Sequence, residues 1–166
     1  MAHADTDYAQ PGHRRFGCLL LILNKAGDVL LVRPSYRDGW ILPGGGALPD
    51  EAPHLAALRE GAEETGLSDL AVGSLLIADY IRASGDGSAA EGINFVFDGG
   101  TVEDDTTITL PAPRPGQQPE LTAWAFVPPG QLADYCLPYQ LRRITQALTA
   151  LADPAQRGYR VRGRHI

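Results

Sequence analysis

Cysteine is scarce in this chain: Cys18 and Cys136 are the only two in 166 residues. Two thiols cannot build the disulfide framework of a small secreted domain, so both are expected as buried thiols in a reducing cytoplasm. Long apolar runs are missing as well. The polar opening stretch, Met1 to His13, has no apolar core of a signal peptide, and nothing reaches the length that spans a bilayer. The expected setting is therefore cytoplasmic, without a membrane partner. Positive charge is also short: 14 Lys and Arg stand against 20 Asp and Glu, giving a net charge of −6 and a pI near 5.1. That balance argues against nucleic acid as a partner. It leaves room for an anionic substrate if a metal supplies the positive charge. The histidines form no ligand pattern, and Gly44-Gly45-Gly46 is not followed by the Gly-Lys-Ser/Thr of a phosphate-binding loop.

What is present reads as one domain. Hydrophobic residues at 44% and charged residues at 20% are ordinary for a globular chain with a real core. Residues 1–13 are expected as a disordered tail, 14–152 as the domain, and 153–166 as a basic tail carrying Arg157, Arg160, Arg162 and Arg164. Arg15 to Leu23 and Val29 to Arg33 read as a strand pair joined by the turn Asn24 to Asp28. Further strands are expected over Leu70 to Ile81 (bent at Gly73), Ile93 to Phe97, Thr106 to Leu110 as an edge strand, and Leu121 to Val127. The acidic stretch Asp98 to Asp105 is expected to be exposed, and Pro111 to Pro119 cannot join a sheet ladder. A short helix ends near Tyr135, and a final helix begins at Pro138 with Leu141, Ile144, Leu148 and Leu151 on one face. These elements make an α+β single domain.

The chain is organised around Gly45 to Leu67. A glycine-rich loop leads into a helix that Pro53 opens and Gly66 closes. Leu55, Leu58 and Ala62 recur at helical spacing as an apolar stripe. Glu60, Glu63 and Glu64 share the other side, where they repel one another and oppose the helix dipole. A hard divalent cation with oxygen ligands would stabilise them. On three glutamates alone, a solvated acidic face reads as well.

The surrounding spacing decides the matter. Gly45, Glu51, Arg59, Glu60, Glu63, Glu64, Gly66 and Leu67 resemble the Nudix box, G-x5-E-x7-R-E-U-x-E-E-x-G-U with U a bulky aliphatic. Gly61 stands where the first aliphatic belongs. The resemblance to the Nudix hydrolase superfamily implies an α/β/α sandwich with a mixed β-sheet. It also implies hydrolysis of the pyrophosphate bond of a nucleoside diphosphate linked to another group, with Mg²⁺ or Mn²⁺ as cofactor. Under it, Glu60 and Glu64 are the principal metal ligands, and the main-chain carbonyl of Gly45 completes the shell. Glu63 is a further ligand or the base on the attacking water, Arg59 orients the glutamates, and Glu51 pairs with Arg59 or holds a water outside the ligand shell. Family members often add a glutamate just before a late strand with Trp; Glu120, four residues before Trp124, matches, with Glu91, Glu103, Asp104 and Asp105 as alternatives.

Substrate selection is read from fewer residues. Arg33 and Arg37 flank the approach to the box and have the guanidinium forks that suit phosphates; both also read as surface arginines. Trp40 reads as a base-stacking surface or as a cover for the core. A MutT-type (deoxy)nucleoside triphosphate pyrophosphohydrolase is the leading expectation. The alternatives are a hydrolase of an NDP-sugar or a dinucleoside polyphosphate, or a non-catalytic nucleotide sensor of the same fold. Gly61 implies either a closer helix approach or a neighbour that fills the gap. Partner expectations are a nucleotide-type small molecule and a homodimer contact through the arginine-rich end.

Overall fold

The computed structural model describes residues 14–85, 90–113 and 115–164. The expected tail at 1–13 lies outside the described residues, as does part of 84–92, where the Gly, Ser and Ala content predicts a loop. Strand β1 (Arg15–Asn24) is the spine of the fold. It runs antiparallel to β2 (Val29–Pro34) near the hairpin turn, where Leu23 faces Val29. Toward its start it runs antiparallel to β3 (Gly44–Gly46), and on its other side it lies parallel to β5 (Gly92–Val102). With β4 (Leu75–Ile81), β6 (Leu121–Val127) and β7 (Gly158–Val161), the sheet runs β6-β2-β1-β5-β4-β7, with β3 off this path.

The unbroken apolar run Cys18 to Ile22 has a physical cause. Both faces of β1 are covered, so alternation with polar residues is not required. Leu19 and Leu21, with Val29 and Leu31, enter one cluster with Ile144, Ala147 and Ala150 of α3 (Pro138–Ala152). Cys18, Leu20 and Ile22, with Leu30, enter another with Ala56 and Ala57 of α1 (Pro53–Thr65). A short helix, α2 (Leu132–Tyr135), adds Leu132 to the first cluster. The result is a mixed seven-stranded sheet between helices, an α/β/α sandwich. Among the described residues no helix is long and apolar enough to cross a membrane. Cys18 and Cys136 are buried free thiols, each pushed up to about 11 chiefly by burial.

Several expectations need correction. The stripe of Leu55, Leu58 and Ala62 is not what α1 buries: Leu55 is 51% exposed, and the buried positions are Ala56, Ala57, Gly61, Glu64 and Thr65. Small residues let the helix lie against β1. A Cβ on Gly61 would stand 2.5 Å from Leu20 Cδ1, so Leu20 occupies the space the missing side chain leaves. Thr106 to Leu110 forms no strand. It covers the C-terminal end of α1, with Thr109 N–H donating to Thr65 O at 2.8 Å and Ile108 buried in the α1 cluster. The Thr109 amide is spent on a helix end, not on a sheet ladder.

Strand β4 begins at Leu75, while the preceding residues tie to β5 through Gly73 N–H and Asp98 O at 2.8 Å. Strand β5 extends through Gly99 into the acidic stretch, which is exposed from Glu103 to Asp105. The expected tail at 153–166 is not free either, since Gly158–Val161 pairs parallel with β4. Arg160 is buried there: its Nε donates to Gln146 Oε1 at 3.2 Å and its Nη1 to Tyr159 O at 3.0 Å. A parallel edge strand of four residues has no hydrophobic run to announce it.

One ion pair ties this edge to the sandwich. Asp79 of β4 is fully buried, and its Oδ2 accepts from Arg143 Nε at 2.8 Å. Its Oδ1 accepts from Gly163 N–H at 2.7 Å. Removing the carboxylate strands a buried guanidinium. Asp79→Ala is therefore expected to lower stability by about 3–5 kcal/mol, measured by denaturant unfolding. The double variant Asp79→Leu/Arg143→Leu is expected to lose less than Asp79→Ala alone.

Candidate active site

The geometry starts from a carboxylate that the fold buries. Glu64 of α1 is only 8% exposed, and its Oε2 accepts from Gly44 N–H at 2.7 Å. Gly44 sits in β3 opposite Leu19 of β1 at φ 133°, in the region that favours glycine. A Cβ there would fall 2.1 Å from Cys18 O. The helix and the glycine strand thus meet through one side chain. Burial pushes the Glu64 carboxyl up to about 8; the Gly44 N–H offsets part of this, while the charges of Glu60 and Glu120 add to it and Arg37 opposes it.

Glu60 lies one turn earlier, against the same strand. A Cβ on Gly45 would stand 2.5 Å from the Glu60 carboxyl carbon, so only glycine leaves this carboxylate its place. Arg59 holds the arrangement from outside. Its Nε and Nη2 donate to Glu51 Oε1 and Oε2, both at 2.8 Å. Its Nη1 donates to Glu60 Oε1 at 2.8 Å, and Nη2 also reaches Gly46 O at 3.2 Å. The Arg59 fork, helped by Leu48 N–H, holds the Glu51 carboxyl down at about 2. In turn Glu51 and Glu60 raise the Arg59 guanidinium above its ordinary value. Glu63 projects into solvent, its Oε2 3.6 Å from Arg59 Nη1.

Glu60, Glu63, Glu64 and Glu120 line one cleft of about 460 Å³, closed on the far side by Pro111, Gln117 and Gln118. The structure therefore brings Glu120, from the turn before β6, to the helix carboxylates. It places the alternatives elsewhere: Glu103 pairs with Lys25, Asp104 accepts from Ala26 N–H, and Glu91 holds Arg14 and Tyr80. Arg33 and Arg37 share a groove with Tyr36 and Asp38. Arg37 also lines a second cavity of about 280 Å³, walled by Gly44, Gly45 and Gly46. Trp40 lines neither the cleft nor this cavity; it packs against the core with its ring edge-on to Tyr135.

Sequence reasoning missed the polar residues behind β3: Asn94, Gln140 and Arg143 all line that second cavity. A signal was present for two of them. Gln140, Arg143, Ala147 and Ala150 repeat at helical spacing on the buried face of α3, so two polar residues sit among core positions.

The donor set fits a hard divalent cation. Glu60 and Glu64 offer carboxylate oxygens beside the main chain of Gly45, and oxygen ligands suit Mg²⁺ or Mn²⁺. Among the described residues, no three acidic, histidine or cysteine side chains are already drawn around one point.

Comparison with known proteins bears on the family and the fold. The model of the NUDIX domain matches residues 12–148. The crystal structure of a MutT protein from Methanosarcina mazei Go1 superposes with a TM-score of 0.67 and 26% identity, covering 84% of this chain and 96% of that one. The solution structure of the E. coli ORF135 protein gives 0.60 and 26%, covering 85% and 92%. Among curated proteins, mouse diphosphoinositol polyphosphate phosphohydrolase 3-alpha is 47% identical over 55 residues, 32% of this chain and 34% of that protein. The match thus spans about a third of the curated relative's length. With most of its length under the family model and its fold shared with these structures, the chain belongs to the NUDIX domain family.

Proposed function

We propose that this protein hydrolyses the pyrophosphate bond of a nucleoside diphosphate linked to another group, with a (deoxy)nucleoside triphosphate as the preferred form and Mg²⁺ or Mn²⁺ required. The observation that carries this reading is the gathering of Glu60, Glu63, Glu64 and Glu120 in one cleft. Its glycine strand also walls a cavity reached by Arg37. A polyanion beside four carboxylates would otherwise be repelled. A bound divalent cation supplies charge neutralisation on the phosphate oxygens and a water acidic enough to attack.

The residues divide the remaining work. Glu60, Glu64 and the Gly45 carbonyl hold the cation, and Glu64 must give up its proton to do so. Arg59 keeps Glu60 in place and is itself held in a two-pronged contact by Glu51, so Arg59 and Glu51 are positioning residues. Glu63, exposed at the cleft, is suited to take a proton from water, with Glu120 facing it as a further acid. Arg33 and Arg37 line a groove with Tyr36 and Asp38, and Arg37 also reaches the cavity behind the glycine strand; their guanidinium forks suit phosphate oxygens. The mouse relative is named for a diphosphate-bearing inositol substrate, which agrees with the class of bond cleaved and not with the group attached.

The test is turnover of a nucleotide panel with release of phosphate and pyrophosphate measured. Exhaustive chelation is expected to abolish activity, and added Mg²⁺ to restore it. Glu60→Gln and Glu64→Gln are each expected to lower kcat by roughly 10²-fold or more while the fold survives. Near wild-type turnover in either variant would remove the ligand assignment.

Stability offers a check that does not depend on turnover. The Glu64 carboxyl titrates near 4.5 when exposed and near 8 in the metal-free fold. Between those values the unfolded chain has lost its proton while the folded chain keeps it, so metal-free stability falls as pH rises through this window. Glu64→Gln is expected to remove most of that slope and to melt above wild type at pH 8 without metal. Mg²⁺ at ten times its Kd adds about 1.4 kcal/mol to wild type, and less to the variant. Equal increments in the two proteins would put the cation elsewhere.

A further inference from the structure

The cavity behind β3 holds three polar side chains that the fold buries without using fully. Arg143 is 7% exposed and spends Nε on Asp79. Its Cζ lies 5.8 Å from the Tyr139 ring centroid, and among the described residues its two terminal nitrogens have no hydrogen-bond partner. Gln140 is 2% exposed; its Oε1 accepts from Leu137 N–H at 3.3 Å, and among the described residues its amide nitrogen has no such partner. Asn94 is 6% exposed and lies opposite Gly17 of β1, where a Cβ would stand 2.3 Å from Asn94 Oδ1. The missing side chain lets the Asn94 amide lie over β1 toward the cavity. Among the described residues, no buried side-chain nitrogen or oxygen is both sealed off and unpaired, so these groups open onto the cavity they line.

We propose that this cavity takes a nucleobase carrying a ring carbonyl beside an N–H, and that Arg143, Gln140 and Asn94 select such keto bases over amino bases. The inference deepens the hydrolase reading above and rests on it for the placement of the phosphates. The walls suit a flat heterocycle: Phe16 and Tyr36 stand exposed at the rim, with Ile41, Leu42 and Ile144 as the apolar sides. Gly44 to Gly46 separate this space from Glu60 and Glu64, so a base held here leads its phosphates toward the carboxylates. No carboxylate lines the cavity.

The chemistry of the free groups gives the preference its sign. Asn94 offers one donor and one acceptor, and by turning its amide it can match either a keto or an amino edge. Arg143 and Gln140 break that tie, because what each has left is N–H only. A carbonyl oxygen accepts from them. An exocyclic amino group points N–H at N–H and leaves buried donors unpaired, the kind of mismatch that a built polar site rejects. The Arg143 fork is held by Asp79 on the side away from the ligand, so its direction is set before binding.

The measurement is calorimetric titration of the full chain, with chelator present, by two pairs of monophosphates: IMP against AMP and UMP against CMP. Each pair differs in one keto or amino group and in the hydrogen on the ring nitrogen beside it. The keto member is expected to bind about tenfold or more tightly in each pair. Gln140→Glu keeps the oxygen that accepts from Leu137 N–H but replaces a donor by an acceptor, and is expected to narrow the IMP/AMP ratio. Asn94→Leu is expected to weaken all four ligands. Equal binding within the pairs, no binding of any of the four, or ratios unmoved by Gln140→Glu would overturn the proposal. Hydrolysis of ITP and ATP with equal kcat/KM would remove this inference and leave the hydrolase reading. Keto-selective binding without hydrolysis would do the reverse.

Discussion

A buried carboxylate is the constraint on which the site depends. Glu64 lies inside the fold with a single described hydrogen bond, from Gly44 N–H. Burying a charge this way is costly, which is why the carboxyl holds its proton to about pH 8. Nothing in the core gains from it: Ala57 and Gly61 on the same face of α1 pack without a polar atom. The acid is carried at a cost in stability at the point where the helix meets the glycine strand. Its repulsion with Glu60 and Glu120 has the same character, and all three belong to one cleft. Strain of this kind is what a cation of opposite charge relieves.

Two glycines make the meeting of helix and sheet possible and a third relieves a contact between strands, each by removing a different collision. Gly61 admits Leu20, Gly45 admits the Glu60 carboxylate, and Gly17 admits the Asn94 amide. The first is a packing device and the other two place polar groups. Gly61 departs from the aliphatic expected there without touching a ligand. Leu20 supplies from β1 the volume that the helix does not. The exchange is local, so the carboxylates above it keep their spacing.

The parts of the fold that were legible in the sequence are those held by local signals. Strand β1 announced itself by its apolar run, and α1 by its proline, its closing glycine and the spacing of its acids. The errors share a cause. Leu55, Leu58 and Ala62 have the right period, but the buried face of α1 is chosen by how closely small residues let it approach β1, which periodicity does not report. Thr106 to Leu110 alternates like a strand, yet its backbone donor is claimed by the end of α1. Strand β7 is four residues with two polar side chains, and it exists because β4 offers an edge and Asp79 offers a buried anchor. In the site, the spacing of the box marked Glu51, Arg59, Glu60 and Glu64 as a group; the contacts of Arg59 join Glu51 to Glu60, while Glu64 is held separately by Gly44 N–H. Asn94 was illegible because it reaches the cavity from β5, far in the chain from Gln140 and Arg143 of α3, and the three meet only through the sheet.

The two halves of the site are therefore held by opposite means. On the cleft side, acidic groups gather with Arg59 as the basic group bound among them, an arrangement that favours an incoming cation. On the cavity side, Arg143 has its charge met by Asp79 beneath it, so what it presents is directed N–H groups more than net charge. Gly44 to Gly46 form the wall between them, thin because they carry no side chains. A ligand that is flat at one end and polyanionic at the other, its charge met by a cation, would match both sides at once. An inorganic polyphosphate would satisfy only the first, and a free base only the second. The wall is also where the two halves are coupled: Gly44 N–H holds Glu64, so a shift of β3 made by a ligand in the cavity would be felt at the carboxylate within a single hydrogen bond.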